Sequence, residues 1–468
     1  LATLFGMTPA PVEHCRVLEL GCGNGSNLIP MACALPRSRF AGVDLAGTQI
    51  AAGRAEAAAL ELDNLELHHL DILDVGREFG EFDYVVAHGF YSWAPPAVRE
   101  RIFAICRANL APDGVAYVSY NTFPGGHLRR LVREILLHHV REIREPQERI
   151  RQAFALARYI SAWRHDKDNE RDLMRAEFER VLSYDPSHFY HDDLAEINSP
   201  VYFHEFMEQA ARHGLQYLSE ADLYEMQPPP AEPEGPGAPR LPSPDDLIAF
   251  EQYIDFVRCR RFRQTLLCHA GIRLDRSLAP SRLAGLYLAS PMRAESETPD
   301  LGHGTVEQFV GPRKSKLATD SPAAKAAIQV LSEIWPSRVE FEDLLQRSRA
   351  RTATQAGELA AMLLKMYAAN IVEVSAGPAR FTVEVSERPQ ASRVVRRQLE
   401  SGPVVINQLH RRVEISDERM REALLLADGT RDLAGLRREL AVRFQTPIEE
   451  QPFHRNLQAA AQAALLIS

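Results

Sequence analysis

At 468 residues the chain is too long for one ordinary domain and should divide into two to four. Its 45% hydrophobic and 25% charged residues are those of a globular protein, and a net charge of −9 lacks the basic footprint of a nucleic-acid binder. The six cysteines (Cys15, Cys22, Cys33, Cys106, Cys259, Cys268) include no CxxC pair, which argues against a disulfide frame or a zinc site and for reduced thiols in a cytoplasmic protein. No apolar run approaches the roughly 18 residues of a membrane helix and no signal-peptide pattern opens the chain, so no membrane partner is expected. The first residue is Leu1, and strand-like sequence begins only near residue 16. An N-terminal segment, and with it a lid helix over a ligand, is therefore expected to be missing.

In chain order, residues 17–20 read as a short apolar strand that runs into a glycine turn, with a helix over 26–35. A second strand (40–44), an Ala-rich helix (49–60) and a third strand (65–68) ending near Asp71 follow. A fourth strand (82–87), a helix (97–110), a turn (111–114) and a fifth strand (114–120) complete the series. Alternating strands and helices predict an α/β Rossmann-like parallel sheet within a core of residues 1–126. Residues 127–181 carry Arg, Glu and Leu at helical spacing with no strand signal, and predict a helical insert over 127–186, suited to packing or dimerisation.

Two later strand-like runs, 215–218 and 264–268, are flanked by helices at 201–213 and 248–260. They are expected to complete the first sheet from a unit spanning 187–292. Inside it, residues 227–244 hold eight prolines and two glycines in 18 residues, an exposed loop by composition. Residues 293–320 are rich in Ser, Thr, Gly and Pro and read as a linker. Beyond it (321–468), a helix at 359–368 followed by strands at 371–374 and 381–385 predicts a winged-helix-like α+β domain. A second, weaker copy is expected from Val405 through the helix near Asn456 to Leu466.

The chemistry begins at Glu19-Leu20-Gly21-Cys22-Gly23-Asn24-Gly25. A dinucleotide fold would show GxGxxG, with a pyrophosphate on the helix N-terminus. Here the third glycine falls one residue early, and an acid stands two places ahead of the first. That is the shape of a site for S-adenosylmethionine, which has no pyrophosphate. Gly21, Gly23 and Gly25 would let backbone approach the ligand where a Cβ would block it, and Glu19 would fix its cationic amino end. Asp44 closes the second strand 19 residues after Gly25, followed by Leu45; its carboxylate suits the ribose hydroxyls. Asp71, at the end of the third strand, suits the adenine amino group, with Ile72 against the adenine face. Each acid read alone fits a helix cap or a solvated loop; together they mark successive strand ends, where an open sheet receives its ligand.

The fourth strand runs into His88-Gly89-Phe90-Tyr91-Ser92-Trp93, at the point where a transferred methyl group should point. No Asn/Asp-Pro-Pro-Tyr clamp for planar amines occurs there. An aromatic segment suits an amine or hydroxyl acceptor and a sulfonium charge. His88, Tyr91 and Tyr120 are the candidate catalytic residues, with His88 equally able to contact the cofactor and Tyr120-Asn121 to Gly126 as the facing wall. In-line transfer from a sulfonium needs alignment and a free lone pair and requires no metal. A lysine acceptor, with a reference pKa of about 10.4, would have to lose its proton at a cost of about 4.6 kcal/mol at pH 7. Desolvation or nearby positive charge would lower that cost.

Over residues 10–126 these motifs resemble class I methyltransferases. Residues 87–93, 120–126, 251–256 and 262–268 resemble bacterial methyltransferases that carry a methyltransferase regulatory domain, which would lie near 187–270. The C-terminal part is similar to the winged-helix domain of bacterial protein-lysine methyltransferases of outer-membrane proteins. The resemblance implies the cofactor positions named above, a homodimer, and lysine side chains of a protein substrate as acceptor. The runner-up is a small-molecule N- or O-methyltransferase of a biosynthetic pathway. A DNA-binding regulator is disfavoured, because residues 320–468 hold 20 Lys/Arg against 19 Asp/Glu. A wide acidic trough above Gly23 would favour a protein acceptor, and a closed apolar pocket a small one.

Overall fold

The computed structural model describes residues 1–162, 169–228 and 241–467. β1 (Arg16–Leu20), α1 (Leu28–Ala34), β2 (Arg39–Asp44), α2 (Gly47–Ala59) and β3 (Leu65–His69) open the chain. They are followed by β4 (Phe82–Ala87), α3 (Pro96–Asn109) and β5 (Leu110–Asn121). β1 buries four of its five residues because it lies inside the sheet with both faces covered, so it reads as an apolar run without alternation. The turn expected at 111–114 stays inside β5 as an irregularity. Pairing with β4 passes from Phe82–Leu110 to Tyr84–Val115, and the extra residues are accommodated there.

The insert consists of α4 (Gly126–His139), α5 (Pro146–Ala162), α6 (Asn169–Leu182) and α7 (Pro186–Asp193), packed around Val132, Leu136, Ala157, Phe178 and Phe189. The chain then returns through α8 (Phe203–Arg212), β6 (Leu215–Glu220), α9 (Leu247–Arg258) and β7 (Phe262–His269). As expected, β6 and β7 complete the first sheet, whose order is β3-β2-β1-β4-β5-β7-β6. β7 runs antiparallel to both β5 and β6, so the sheet is mixed. The proline-rich loop expected at 227–244 lies largely outside the described residues. Among the described residues no helix is long and apolar enough to cross a membrane.

The 293–320 segment corrects the linker expectation. After β8 (Tyr287–Ala289), the strands β9 (Arg293–Ala294), β10 (Glu307–Val310) and β11 (Lys316–Thr319) form an antiparallel sheet. Phe309, 1% exposed, anchors it to a core with Met292 and Leu331, an anchor that the surrounding polar composition conceals. Next come α10 (Pro322–Ile334), β12 (Val339–Glu340), α11 (Phe341–Arg349), α12 (Ala356–Ala368) and β13 (Glu373–Ser375). The hairpin expected between 371–374 and 381–385 does not form. β8 pairs with both β12 and β13, so a strand from far upstream takes the third place, and 381–385 remain outside any strand. The chain ends with α13 (Arg393–Leu399), the hairpin β14 (Val404–Ile406) and β15 (Arg412–Glu414), and helices α14 (Glu418–Leu426), α15 (Leu433–Phe444) and α16 (Glu450–Gln462).

A buried charge cluster fastens the returning elements to the sheet. Arg263 on β7 is 1% exposed and donates to Asp255 (2.8 and 2.9 Å), Glu220 (2.6 Å) and Glu251 (3.0 Å), with its guanidinium 3.8 Å over the Phe203 ring. Glu220 also accepts from Thr265 Oγ1 (2.9 Å), which lies 3.0 Å from the Tyr120 hydroxyl on β5. Burial pushes the Glu251 carboxyl up to about 7, against the pull of Arg263. Arg263→Met should strand these carboxylates in the interior and cost about 3–5 kcal/mol. Urea unfolding checks this, and a loss below about 1 kcal/mol would mean that the cluster does not hold the sheet together.

Candidate active site

The C-terminal ends of β1 to β5 lie along one edge of the sheet, and the order reverses between β1 and β4. Such a switch point opens a crevice above the strand ends. The glycine turn fills it. Gly21 and Cys22 donate their N–H groups to Val43 O (2.8 and 3.1 Å), which ties the turn to the end of β2. Gly21, Gly23 and Gly25 have φ of +73°, +56° and +73°, a region that disfavours side chains.

The three glycines serve different ends. A Cβ on Gly21 would come within 2.6 Å of the Phe90 ring, and one on Gly25 within 3.1 Å of Leu67. One on Gly23 would meet nothing within 4 Å, so Gly23 faces open space. The Cys22 side chain is buried, with its thiol pushed up to about 12 by burial, so only its backbone belongs to the turn. Asn24 Oδ1 accepts from Ser26 N (3.1 Å) and closes the turn locally.

Glu19 is 3% exposed. Its Oε1 accepts from Asn27 Nδ2 (3.0 Å), while Oε2 is buried without a partner, and burial raises the carboxyl to about 7. A buried carboxylate oxygen left unsatisfied is costly, and a cationic ligand group would satisfy it. Asp44 caps the crevice from β2: Oδ2 accepts from Gly23 N (2.8 Å) and Oδ1 from Ala46 N (2.7 Å). A carboxylate has about four acceptor sites, so two remain for a ligand diol. Asp71 Oδ1 accepts from Leu73 N (2.9 Å), Ile72 is buried, and Leu45 is 67% exposed beside Asp44. The chain thus carries a buried orphan acceptor, a half-used carboxylate and an open glycine along one edge, which fits an amino-acid and ribose-bearing cofactor.

A cavity of about 470 Å³ opens beyond the end of β4 and is lined by His88, Gly89, Trp93, Asn121, Gly126 and residues of the insert. His88 Nδ1 lies 3.1 Å from the Tyr117 hydroxyl and 3.2 Å from Ser119 Oγ. The His88 residue keeps an open face, yet the protein around its ring lowers its pKa, so the imidazole is neutral at pH 7. Asn121 is anchored by its backbone N–H to Ser92 Oγ (2.8 Å) and by Nδ2 to Asn198 Oδ1 (3.1 Å).

Tyr91 and Tyr120 correct the sequence expectation. Both are 0% exposed and packed against Phe206, with their hydroxyls engaged by Gln209 (2.8 Å) and Thr265 (3.0 Å). Burial drives both phenols above their ordinary pKa. Each ring ends in the core beneath the cavity, because the strand and turn that carry it direct it inward. Asn121, expected in the facing wall, does line the cavity, whereas Asn27 beside Glu19 and the arginines of the insert are residues that no local motif marks. Only tertiary contact brings them to the crevice.

The opening is neither the acidic trough nor the closed apolar pocket considered from sequence. Its wall carries Arg129, Arg130, Arg133 and Arg180 of the insert and Arg261 from just before β7, against Asp192. Among the described residues no group of three or more His, Cys, Asp or Glu side chains is placed to hold a metal ion.

Gly53 on α2 has a structural duty that its place in an Ala-rich helix conceals. A Cβ there would lie 2.3 Å from the Asn24 carbonyl oxygen, so the helix can approach the cofactor turn only without a side chain. In an ordinary helix Gly→Ala stabilises by about 0.5–1 kcal/mol. Here Gly53→Ala should reverse that sign, with a loss of at least about 1 kcal/mol from overpacking. Chemical denaturation reads the sign directly, and a gain in stability would contradict this packing.

Three family models match the chain. A methyltransferase domain covers residues 17–114, a predicted methyltransferase regulatory domain 185–269, and a PKMT C-terminal winged helix domain 387–462. An uncharacterised protein of Rickettsia prowazekii is 36% identical over 361 residues, which cover 75% of this chain and 64% of that protein, so the chain spans just under two thirds of its length. A second uncharacterised protein of the same organism is 34% identical over 219 residues, 47% of this chain and 88% of the relative. The solved structure of PKMT2 from Rickettsia typhi in complex with AdoHcy superposes with a TM-score of 0.86 at 26% identity, covering 100% of this chain and 96% of that one. With the glycine turn, the mixed seven-stranded sheet and the three matched domains in agreement, the chain belongs to the S-adenosylmethionine-dependent methyltransferases that combine a regulatory domain with a PKMT-type winged helix.

Proposed function

We propose that the chain methylates the ε-amine of lysine side chains in a protein substrate. The observation that carries this reading is the likeness to PKMT2, a protein-lysine methyltransferase, which extends over the whole chain and includes the winged-helix domain as well as the common sheet. The cavity also supports it. It is open to solvent and its rim carries arginines with Asn121, Asn198 and Asp192, which suits a side chain presented from a protein surface better than an enclosed apolar metabolite. The exposed Leu131, Tyr159 and Leu173 on α4, α5 and α6 support pairing of two copies through the insert.

In this reading Glu19 receives the amino end of the cofactor, and the free acceptor sites of Asp44 receive the ribose hydroxyls. Asp71 accepts from the adenine amino group, with Ile72 and Leu45 beside the ring. S-adenosylmethionine supplies the methyl group on a sulfonium, transferred in line to the amine lone pair. His88, Trp93 and Asn121 border the entry and orient the acceptor. Among the described residues the carboxylate lining the cavity, Asp192, is engaged by Arg129 (3.1 Å) and is not free to act as a base. The acceptor therefore has to arrive as the neutral amine, its proton released to solvent beforehand. Tyr91 and Tyr120 shape the floor and take no proton.

The pH dependence of cofactor binding follows from Glu19. Its carboxyl titrates near 7, and a cationic amino group binds the ionised form, so binding expels the proton that Glu19 holds at lower pH. Affinity for S-adenosylhomocysteine should rise with pH through this range, by up to about tenfold per unit below 7, and level off above it. Glu19→Gln should weaken binding and flatten the profile by calorimetry; an unchanged profile would remove Glu19 from the site. For the acceptor, methyl-labelled cofactor is supplied with a mixture of proteins and small amines, followed by acid hydrolysis. Label should be recovered as Nε-methyl-lysine, and label in small molecules alone would defeat the lysine reading.

A further inference from the structure

The arginines of the cavity wall are not equivalent. Arg129 is held by Asp193 (3.0 and 3.1 Å) and Asp192 (3.1 Å), and Arg130 by Glu134 (2.8 Å). Arg180 and Arg261 share the buried carboxylate of Glu177. Each of these four has a carboxylate partner. Arg133 makes no direct ion pair among the described residues, and feels Asp193 and Asp192 only through space: its Nη2 donates to the carbonyl oxygens of Ala195 and Glu196, and its Nη1 is buried without a partner. The residue is 6% exposed, and desolvation depresses its pKa. Withdrawing an ion from water costs several kcal/mol unless an opposite charge compensates it. A planar guanidinium with donors to spare matches a carboxylate in shape as well as charge.

We propose that Arg133 is a specificity residue that receives a carboxylate carried by the acceptor protein, one or two residues from the methylated lysine. The inference rests on the lysine reading above. Arg133 stands seven residues into α4 from Gly126, about 10 Å along the helix axis. Gly126 lies beside Asn121 in the cavity lining, next to the strand ends. An extended chain advances about 3.3–3.6 Å per residue, so an acidic side chain one or two positions away can reach Arg133 while the lysine stem points to His88 and Trp93. The same placement reconciles a cationic target with an arginine-lined entrance. The neighbouring carboxylate compensates Arg133 as the substrate docks, and the ammonium releases its proton to solvent before transfer. A lysine flanked by neutral residues leaves Arg133 without a carboxylate hydrogen-bonded to it.

Matched peptides test this on the full chain with S-adenosylhomocysteine bound. Each holds one lysine, with Asp at one of the two positions on either side, or Asn in the same place. Binding is read by quenching of tryptophan fluorescence, to which Trp93 in the cavity wall contributes, and methyl transfer is read separately with S-adenosylmethionine. At one or more positions the Asp peptide should bind the wild type at least tenfold more tightly and show the lower KM. R133M and R133Q should abolish that difference, and R133K, which keeps the charge without the fork, should restore part of it; thermal melts identify any variant that fails to fold. Equal affinity of Asp and Asn peptides for the wild type at every position overturns the proposal. So does a preference that survives in R133M, or a loss of S-adenosylhomocysteine affinity in R133M with the preference intact. If the Asp peptide binds through Arg133 and neither peptide is methylated, the anion site stands and the lysine reading falls. If both are methylated equally with equal KM, the lysine reading stands and the anion site falls.

Discussion

The buried guanidinium of Arg263 is the interaction on which the remaining architecture depends. It draws Glu220 on β6, Glu251 and Asp255 on α9, and the ring of Phe203 on α8 to a single point on β7. β7 pairs with β5 as far as Asn121–Phe262, and the chain leaving β5 continues that attachment, with Thr122 N–H donating to Arg261 O (2.9 Å) and Gly125 N–H to Arg260 O (2.9 Å). The regulatory-domain segment therefore holds in place the loop from which the insert departs. The residues just before Arg263, Arg261 and Phe262, reach the cavity itself. A charge cluster in the interior and the entrance of the site are thus two ends of one short strand segment.

The site divides between two sources. The cofactor edge is built locally, from the ends of β1, β2 and β3 and a turn whose glycines meet Phe90, open space and Leu67 in succession. The cavity beside it is assembled from distant parts of the chain: α4, α6, the 192–200 segment and the start of β7 all contribute to its wall. In the proposed function the first half can serve any methyl acceptor and the second half selects it, so the arginine wall, more than the aromatic segment after β4, sets the electrostatics at the entrance. Tyr91 joins Phe103, Tyr120 and Phe206 in the core, and that segment contributes mainly His88, Gly89 and Trp93 to the cavity.

The C-terminal part is braced against the outer side of the cofactor edge. Val394 on α13 packs in the same core as Leu28, Ile29 and Ile50. Arg397 pairs with Glu56 on α2 (3.1 Å), and Arg393 donates to the Leu60 carbonyl just beyond it. The helix that approaches the turn through Gly53 is thereby supported from behind. The preceding unit, β8 to β13, closes its small sheet with a strand from the other side of the 293–320 segment, so the two halves of the chain are joined by strand pairing as well as by side-chain packing.

The sequence by itself determined the glycine turn, the acids at the strand ends and the succession of the first five strands along the chain, because those signals are local. An apolar run, a glycine turn and an acid at the next strand end all lie within about thirty residues of one another, and backbone sterics restrict what each can form. It also carried the return of 215–218 and 264–268 to the first sheet, since apolar strands of that length require a partner. The tertiary structure alone decided the rest. Whether Tyr91 and Tyr120 face a substrate or the core depends on the helix packed beneath them, α8, which is remote in sequence. Whether Glu373–Ser375 pairs forward or backward depends on β8, and whether 293–320 is linker or sheet on one phenylalanine finding a core. Whether Arg129 or Arg261 is neutralised depends on carboxylates more than sixty residues away in sequence. Those outcomes follow from desolvation and pairing among distant groups, and no local pattern encodes them.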